Sequence, residues 1–322
     1  MTHPASTPSD SSALVSRFLS RLALAPRQAH KALTVWPLVP TSPGPAAPAY
    51  GTLSDAIASG ALVVEELPGA TVPLVAVENR GELAVLVLFG EQIQGALQNR
   101  TVNASFLIPP RARVDIDVSC TEVGRWMGRG AFAATSELVA HAIRRKMAKA
   151  VSGSRKRGQR FDANQREVWN EVDHRLDSSR IGSNTRAYAD YVAARRSELA
   201  SAAAAFHPVP GQVGFVAAIG SEVVGVEAIG RPEVFAAAFS GLLQAYLIDA
   251  VDAAAVSARE EAAAVRFESP EDFLAALAAA PGEEGPSLGA GRDVRIAGDR
   301  VSGCALVAGD VVHLTAFAEL AA

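Results

Sequence analysis

Short β-branched runs broken by proline and glycine occupy both ends of this chain, with a long stretch of helical composition between them. Strands this short cannot bury a face alone, so the two ends must share one sheet or form sheets that abut. That order predicts an α+β fold: a β-rich, sandwich- or barrel-like N-terminal part, a central helical region, then a C-terminal hairpin, helices and a β-meander. At roughly 150 residues per domain, 322 residues make one large domain or two modest ones. Texture divides the chain into a flexible tail over 1–25 with a short helix over 13–25, a β-rich part over 26–130, a helical region carrying a basic loop over 131–206, and an α+β part over 207–322 that completes one composite domain.

Leu62–Leu67, Val72–Val77 and Leu83–Phe89 are predicted strands, and Leu83–Phe89 is so uniformly apolar that burial on both faces is expected. Val102, Ala104, Phe106 and Ile108 share one face of the next segment. Val114, Ile116 and Val118 share a face of the one after, opposite Asp115, Asp117 and Ser119. Alternation of this period sends one face to the core and the other to water or a ligand. Pro109-Pro110 turns the chain between them, so the pair should run antiparallel with Arg100 near Cys120. Phe132–Val151 lacks Gly and Pro and reads as a helix, followed by helices over Arg166–Leu176 and after Asn184 or Thr185. A hairpin turning at Gly220-Ser221, a helix opened by Pro232, an Ala-rich helix near 250–264, another over Pro270–Ala279 and three closing strands complete the expectation.

Hydrophobic residues make up 49% and charged residues 20%, which suits a packed core. A net charge of −4 excludes a uniformly basic nucleic-acid coat while leaving room for a local patch. Cys120 and Cys304 are too few for a disulfide scaffold. Arg17 and Arg21 interrupt the apolar N-terminal run, unlike a signal peptide, and no uninterrupted apolar run reaches the roughly 18–20 residues of a bilayer span, so a cytoplasmic protein without a membrane partner is expected. The P-loop, nucleophile-elbow, C-x-x-C and H-E-x-x-H patterns are absent. Glu171 and His174 match the E-x-x-H of di-iron bundles, with Glu137 and His141, four apart, an imperfect companion to the second copy such a site needs, so they read as a solvated helical face and neither metal nor cofactor is assigned.

Gln92, Gln94, Gln98, Asn99, Arg100 and Asn103 crowd the turn after the most apolar strand, and the strand ending at Cys120 delivers Glu122, Arg125 and Trp126. Amides and guanidinium groups at strand ends suit carbonyls, phosphates or bases. Gly90, Glu91, Gly95, Gln98, Asn99, Arg100 and Asn103, followed by Val118, Ser119, Cys120, Glu122, Gly124, Arg125 and Trp126, resemble the paired motifs of the ADP-ribosylglycohydrolase- and rhodanese-phosphatase-superfamily-associated protein domain family. The resemblance runs from about residue 31 to about 255, taking in VGVEAIG and the helix ending LLQAYLIDA. It implies no established activity; the association with enzymes that remove ADP-ribose points to NAD-derived ligands or nucleic-acid repair.

The individual residues read in more than one way. Cys120 is a core residue by its parity with Val114, Ile116 and Val118, or a nucleophile with Glu122 nearby and Arg125 lowering its pKa. Arg100, Glu122 and Arg125 form a buried ion-pair network or hold an anion; Trp126 is a core aromatic or a stacking platform. In an enzyme, Glu91 or Glu122 would be the acid/base; in a binding module, Gln98, Asn99, Arg100, Asn103, Arg125 and Trp126 would line a polar pocket for a nucleotide-like or ADP-ribose-related ligand. Eight of 30 basic residues lie between Arg144 and Arg160, and Gly, Ser and Gln interleave the later ones as in a flexible loop. Arg155, Lys156, Arg157 and Arg160 are thus the candidates for contacting nucleic acid, the alternative partner, unless the loop is simply solvated or the protein only an assembly component.

Overall fold

Gly214–Ile219 is apolar from end to end, and the computed structural model, which describes residues 10–42, 44, 49–67, 73–125, 131–256 and 267–319, shows why. The segment is the strand β13 of a nine-stranded sheet whose two faces are both covered. The elements before it are α1 (Asp10–Ser20), β1 (Leu22–Leu24), β2 (Gln28–His30), β3 (Leu33–Pro40), β4 (Tyr50–Thr52), α2 (Leu53–Ala58), β5 (Leu62–Glu66), β6 (Leu74–Asn79), β7 (Ala84–Val87), β8 (Glu91–Gly95), β9 (Arg100–Val102), β10 (Phe106–Ile108), β11 (Arg113–Cys120), β12 (Phe132–Leu138), α3 (His141–Lys156), α4 (Gln165–Ser178) and α5 (Tyr188–Ala203). After it come β14 (Glu222–Ile229), α6 (Pro232–Val256), α7 (Pro270–Ala279), β15 (Gly282–Pro286), β16 (Arg292–Ala297), β17 (Val301–Ala308) and β18 (Asp310–Ala318).

The two ends of the chain do share one sheet. Its order is β1-β3-β13-β14-β18-β17-β16-β15, with β2 also on β3, so an N-terminal strand lies beside the C-terminal hairpin. Phe215 and Ala217 of β13 join one core, where Phe215 meets Phe235, Phe239 and Tyr246 of α6 at ring distances of 6.3, 6.4 and 5.5 Å. Val216 and Ala218 point the other way, into a second core closed by Val15 and Phe18 of α1 and Phe273 and Leu277 of α7. A six-stranded sheet, β12-β8-β9-β11-β6-β5, and a three-stranded one, β10-β7-β4, complete the mixed α+β architecture. Pro232–Ala253 of α6 is apolar and long enough to cross a bilayer, but 67% of that window is buried inside the fold, as in a core helix.

Four expectations need correction. Residues 10–25 are not a flexible tail: α1 buries Val15, Phe18 and Leu19, and β1 pairs with β3. Residues 1–9 lie outside the described segments, as does the 257–264 part of the Ala-rich helix, whose earlier residues continue α6 to Val256. Phe132–Leu138 is a strand rather than the start of a helix, because the β8 edge offers it ladder partners from Gly95 to Glu91 and Ser136, at φ 58°, breaks the register there. Val102–Ile108 is not one alternating strand: β9 pairs with β8 and β11, β10 pairs with β7 in another sheet, and Thr101–Ile108 is buried throughout. Last, the basic stretch 144–160 is not a loop as a whole: 144–151 are helical as their composition suggests, and 152–156 continue the same helix α3, which the chain leaves only from Arg157.

One ion pair ties these layers together. Arg144 of α3 and Glu227 of β14 are both fully buried, with Nη1 2.6 Å and Nη2 3.1 Å from the two carboxylate oxygens. Tyr246 of α6 and Thr315 of β18 donate to the same carboxylate at 2.9 Å each, and His313 stands 3.4 Å away. Burial pushes the Glu227 carboxyl up, but Arg144 and His313 outweigh it and hold it down at about 2. Removing one partner of such a pair leaves an uncompensated buried charge. Arg144→Met is expected to lower the unfolding free energy by about 3–5 kcal/mol in urea titrations at pH 7, with Arg144→Met/Glu227→Met recovering part of it. A loss below about 1 kcal/mol would contradict this role.

Candidate functional site

The strand-end cluster forms, and its register is the expected one: Cys120 of β11 lies opposite Arg100 of β9. Most of its polar atoms are engaged with one another, while Glu66 Oε2, Gln92 Nε2 and Arg100 Nε are buried without a hydrogen-bond partner among the described residues. Arg100, buried, donates to Gln98 Oε1 (3.1 Å), to Glu66 Oε1 (3.2 Å) and to the Cys120 sulfur. Gln98 Nε2 reaches the Val123 carbonyl at 3.4 Å. Glu122 Oε2 accepts the Asn99 N–H (3.2 Å) and Arg125 Nε (3.0 Å). The Arg125 guanidinium in turn holds the Ala96 carbonyl (2.9 Å) and Asn99 Oδ1 (3.0 Å), clamping a turn in which Ala96 sits at φ 45°. Burial raises Glu122, but Arg125 and the other donors win and keep it below the usual carboxylate range. Burial pushes the Cys120 thiol up despite Arg100, which disfavours the thiolate that nucleophilic attack needs. Arg100, not Arg125, is the guanidinium beside the sulfur, and Trp126 lies outside the described residues.

Glu91 has a different setting. It is buried, accepts the Leu88 N–H at 2.9 Å, and borders a cavity of about 20 Å³ with Thr52, Ser54 and Ser136, room for a single water. Burial raises its carboxyl to about 7, a value fit for proton transfer at neutral pH.

An open groove of about 690 Å³ runs between α3 and the start of α4. Its α3 side exists because Ile143, Arg144, Met147, Ala148 and Val151 face the core, which turns Arg145, Lys146 and Lys149 outward. Arg157 continues that wall; Asp162, Asn164 and Glu167 face it, and Glu319 also lines the groove. Lys146 pairs with Glu171 of the E-x-x-H pattern, whereas Arg145 and Lys149 enter no ion pair among the described residues. The remaining nucleic-acid candidates point elsewhere: Arg155 stacks on Phe161 (4.5 Å) and donates to the Pro286 carbonyl, Lys156 faces Glu283 (3.5 Å), and Arg160 pairs with Asp117 (3.0 Å). Asp162, Asn164 and Glu167 lie close together in the chain but match no recognised motif, and Glu319 stands far from them in sequence, so none carried a sequence signal.

The strand-end cluster and the groove are connected. Gly90, at φ 84°, lies against the Arg144 side chain, where a Cβ would come within 2.7 Å of it. Asn103 Nδ2 donates to the Phe161 carbonyl at 2.9 Å. The Gln165 amide brackets Cys120, accepting its N–H at 2.6 Å and donating to its carbonyl at 2.8 Å. The paired motifs therefore seat both walls: α3 through Gly90, and the 161–165 segment through Asn103 and the Cys120 backbone.

Glu91 yields a pH test. Its folded value stands above the ordinary 4.5, so the stability it confers is complete below 4.5 and is lost as pH rises through about 7. Between pH 5 and pH 8, Glu91→Gln should gain about 2–3 kcal/mol relative to the native chain in denaturant unfolding. Parallel pH profiles for the two proteins would refute the buried-acid assignment.

A family model described as the ARG and Rhodanese-Phosphatase-superfamily-associated Protein domain matches residues 21–317. No curated protein and no solved structure matches the chain significantly. The match begins at the end of α1 and extends through the closing strand β18, taking in every part of the cluster and groove just described except the terminal Glu319, and by it the chain belongs to the ARG and Rhodanese-Phosphatase-superfamily-associated Protein domain family.

Proposed function

We propose that the protein is a binding module for a small phosphate-bearing, nucleotide-like ligand held in the groove between α3 and α4. The observation that carries this reading is the cationic wall of Arg145, Lys146, Lys149 and Arg157, fixed on a rigid helix and its first following residue. Guanidinium and ammonium groups converging on one concavity suit a phosphate or pyrophosphate. The facing carboxylates favour a nucleotide over a nucleic-acid backbone. Asp162, Glu167 and Glu319 would repel a continuous phosphate chain, yet they can accept hydrogen bonds from sugar hydroxyls. The family's naming association with ADP-ribosylglycohydrolases fits the same ligand class, and two free buried cysteines fit a reducing, cytoplasmic setting. The strand-end residues Gln98, Asn99, Arg100 and Asn103 act in this reading as a frame for the groove rather than as its lining.

Calorimetric titration with ADP-ribose tests it. Arg145→Ala/Lys149→Ala removes two outward charges and is expected to weaken binding at least about tenfold while leaving the melting temperature of the free protein unchanged. The native affinity should fall only mildly between 50 and 200 mM salt, because two phosphates release few counterions; these are roughly the limits over which a nucleic-acid binder loses orders of magnitude. Equal affinity in the variant, or no binding of ADP-ribose, ADP or NAD, would overturn the proposal.

A further inference from the structure

A second cavity of about 360 Å³ adjoins the groove, and Arg145 and Glu319 line both. Its walls are otherwise mainly apolar, with Ile219, Val223 and Val224 from the β13–β14 hairpin on one side and Ala253 of α6 on another. The polar groups at its back are engaged elsewhere. His141 Nε2 lies 3.0 Å from the Val224 carbonyl, and Asp249 accepts the Ala142 N–H at 2.7 Å and Arg175 at 2.5 Å. Glu222, which accepts the Ser221 hydroxyl at 3.0 Å, also lines it, so what remains is a largely apolar slot opening onto a cationic groove, with one guanidinium and one carboxylate at their shared wall.

We infer that this slot receives the base of a nucleoside diphosphate whose phosphates occupy the groove, an inference that rests on the groove being the ligand site. The slot lies in the size range of small-molecule pockets, and it offers a planar heterocycle the apolar surroundings that a phosphate cannot use. Arg145, at the junction, has a planar group that both pairs with phosphate oxygens and stacks on a ring. Glu319 accepts the Ser302 hydroxyl, and a carboxylate has further acceptor positions for a ribose hydroxyl at that junction. The order along the site is thus base, sugar, phosphates.

The test compares ADP with inorganic pyrophosphate by calorimetry at one salt concentration. The native protein should bind ADP at least about tenfold more tightly than pyrophosphate. Ala253→Trp, which fills the slot, and separately Ile219→Gln, which makes it polar, should each weaken ADP about tenfold and leave pyrophosphate within about twofold. Both variants are first matched to the native protein in circular dichroism and melting temperature, and either one alone suffices if the other does not fold. Pyrophosphate binding without any preference for ADP, or slot variants that leave ADP affinity unchanged, overturns the slot assignment and spares the groove. Absence of pyrophosphate and ADP binding alike overturns both.

Discussion

Each member of a fully buried charge pair depends on the other for its compensation, and Arg144 with Glu227 imposes that dependence on this fold. Arg144 comes from the central helical region, Glu227 from the C-terminal hairpin, and the hydroxyls completing the carboxylate's shell from α6 and the closing strand. The ring of Phe89 lies 5.2 Å from the guanidinium, which brings in the end of the most apolar N-terminal strand. A buried pair need not stabilise more than apolar residues of the same shape. What it does is penalise every packing in which α3 rotates or slides, since either motion leaves one charge alone in the core. With Arg144 so placed, helical periodicity leaves Arg145 and Lys149 no direction but outward.

The paired motifs near residues 90–103 and 118–125 take their meaning from this constraint. Gly90 has no side chain because Arg144 occupies that space, and its positive φ suits glycine. Arg125 and Glu122 clamp the turn that carries Asn99, and Arg100 ties that turn to Glu66 across the sheet. Asn103 and the Cys120 backbone then reach out to hold Phe161 and Gln165. A cluster of amides and guanidiniums at strand ends reads in sequence as a ligand pocket; in the fold most of its donors and acceptors are matched to one another and to backbone, with Gln92 Nε2 and Arg100 Nε the buried donors left over among the described residues.

Much of the architecture was legible because period and punctuation act locally. The hairpin turning at Gly220, the helix opened by Pro232 and the meander strands lie where texture placed them, and the antiparallel register of Arg100 with Cys120 followed from a proline turn. What was illegible depended on distant partners. Phe132–Leu138 has a helical composition but became a strand because the edge of β8 was there to pair with it. The 152–159 stretch has loop composition, yet α3 continues to Lys156 with Val151 and Ser154 buried beneath it. Arg144 could not be told from its basic neighbours, since burial of a charge is decided by a glutamate 83 positions away. The groove's acidic wall was hidden for the same reason: Glu319 and Asp162 meet only in the folded chain.

The central claim is that the paired motifs act as a frame that seats the groove's walls. Amide hydrogen exchange of Asn103→Ala, read by mass spectrometry against the native protein, tests it most directly, because that side chain touches the 161–165 wall at one point. Faster exchange is expected, confined to about residues 161–168, with α3, β13 and β14 as protected as before. Unchanged exchange over 161–168, or a loss of protection spread evenly through the molecule, would contradict it.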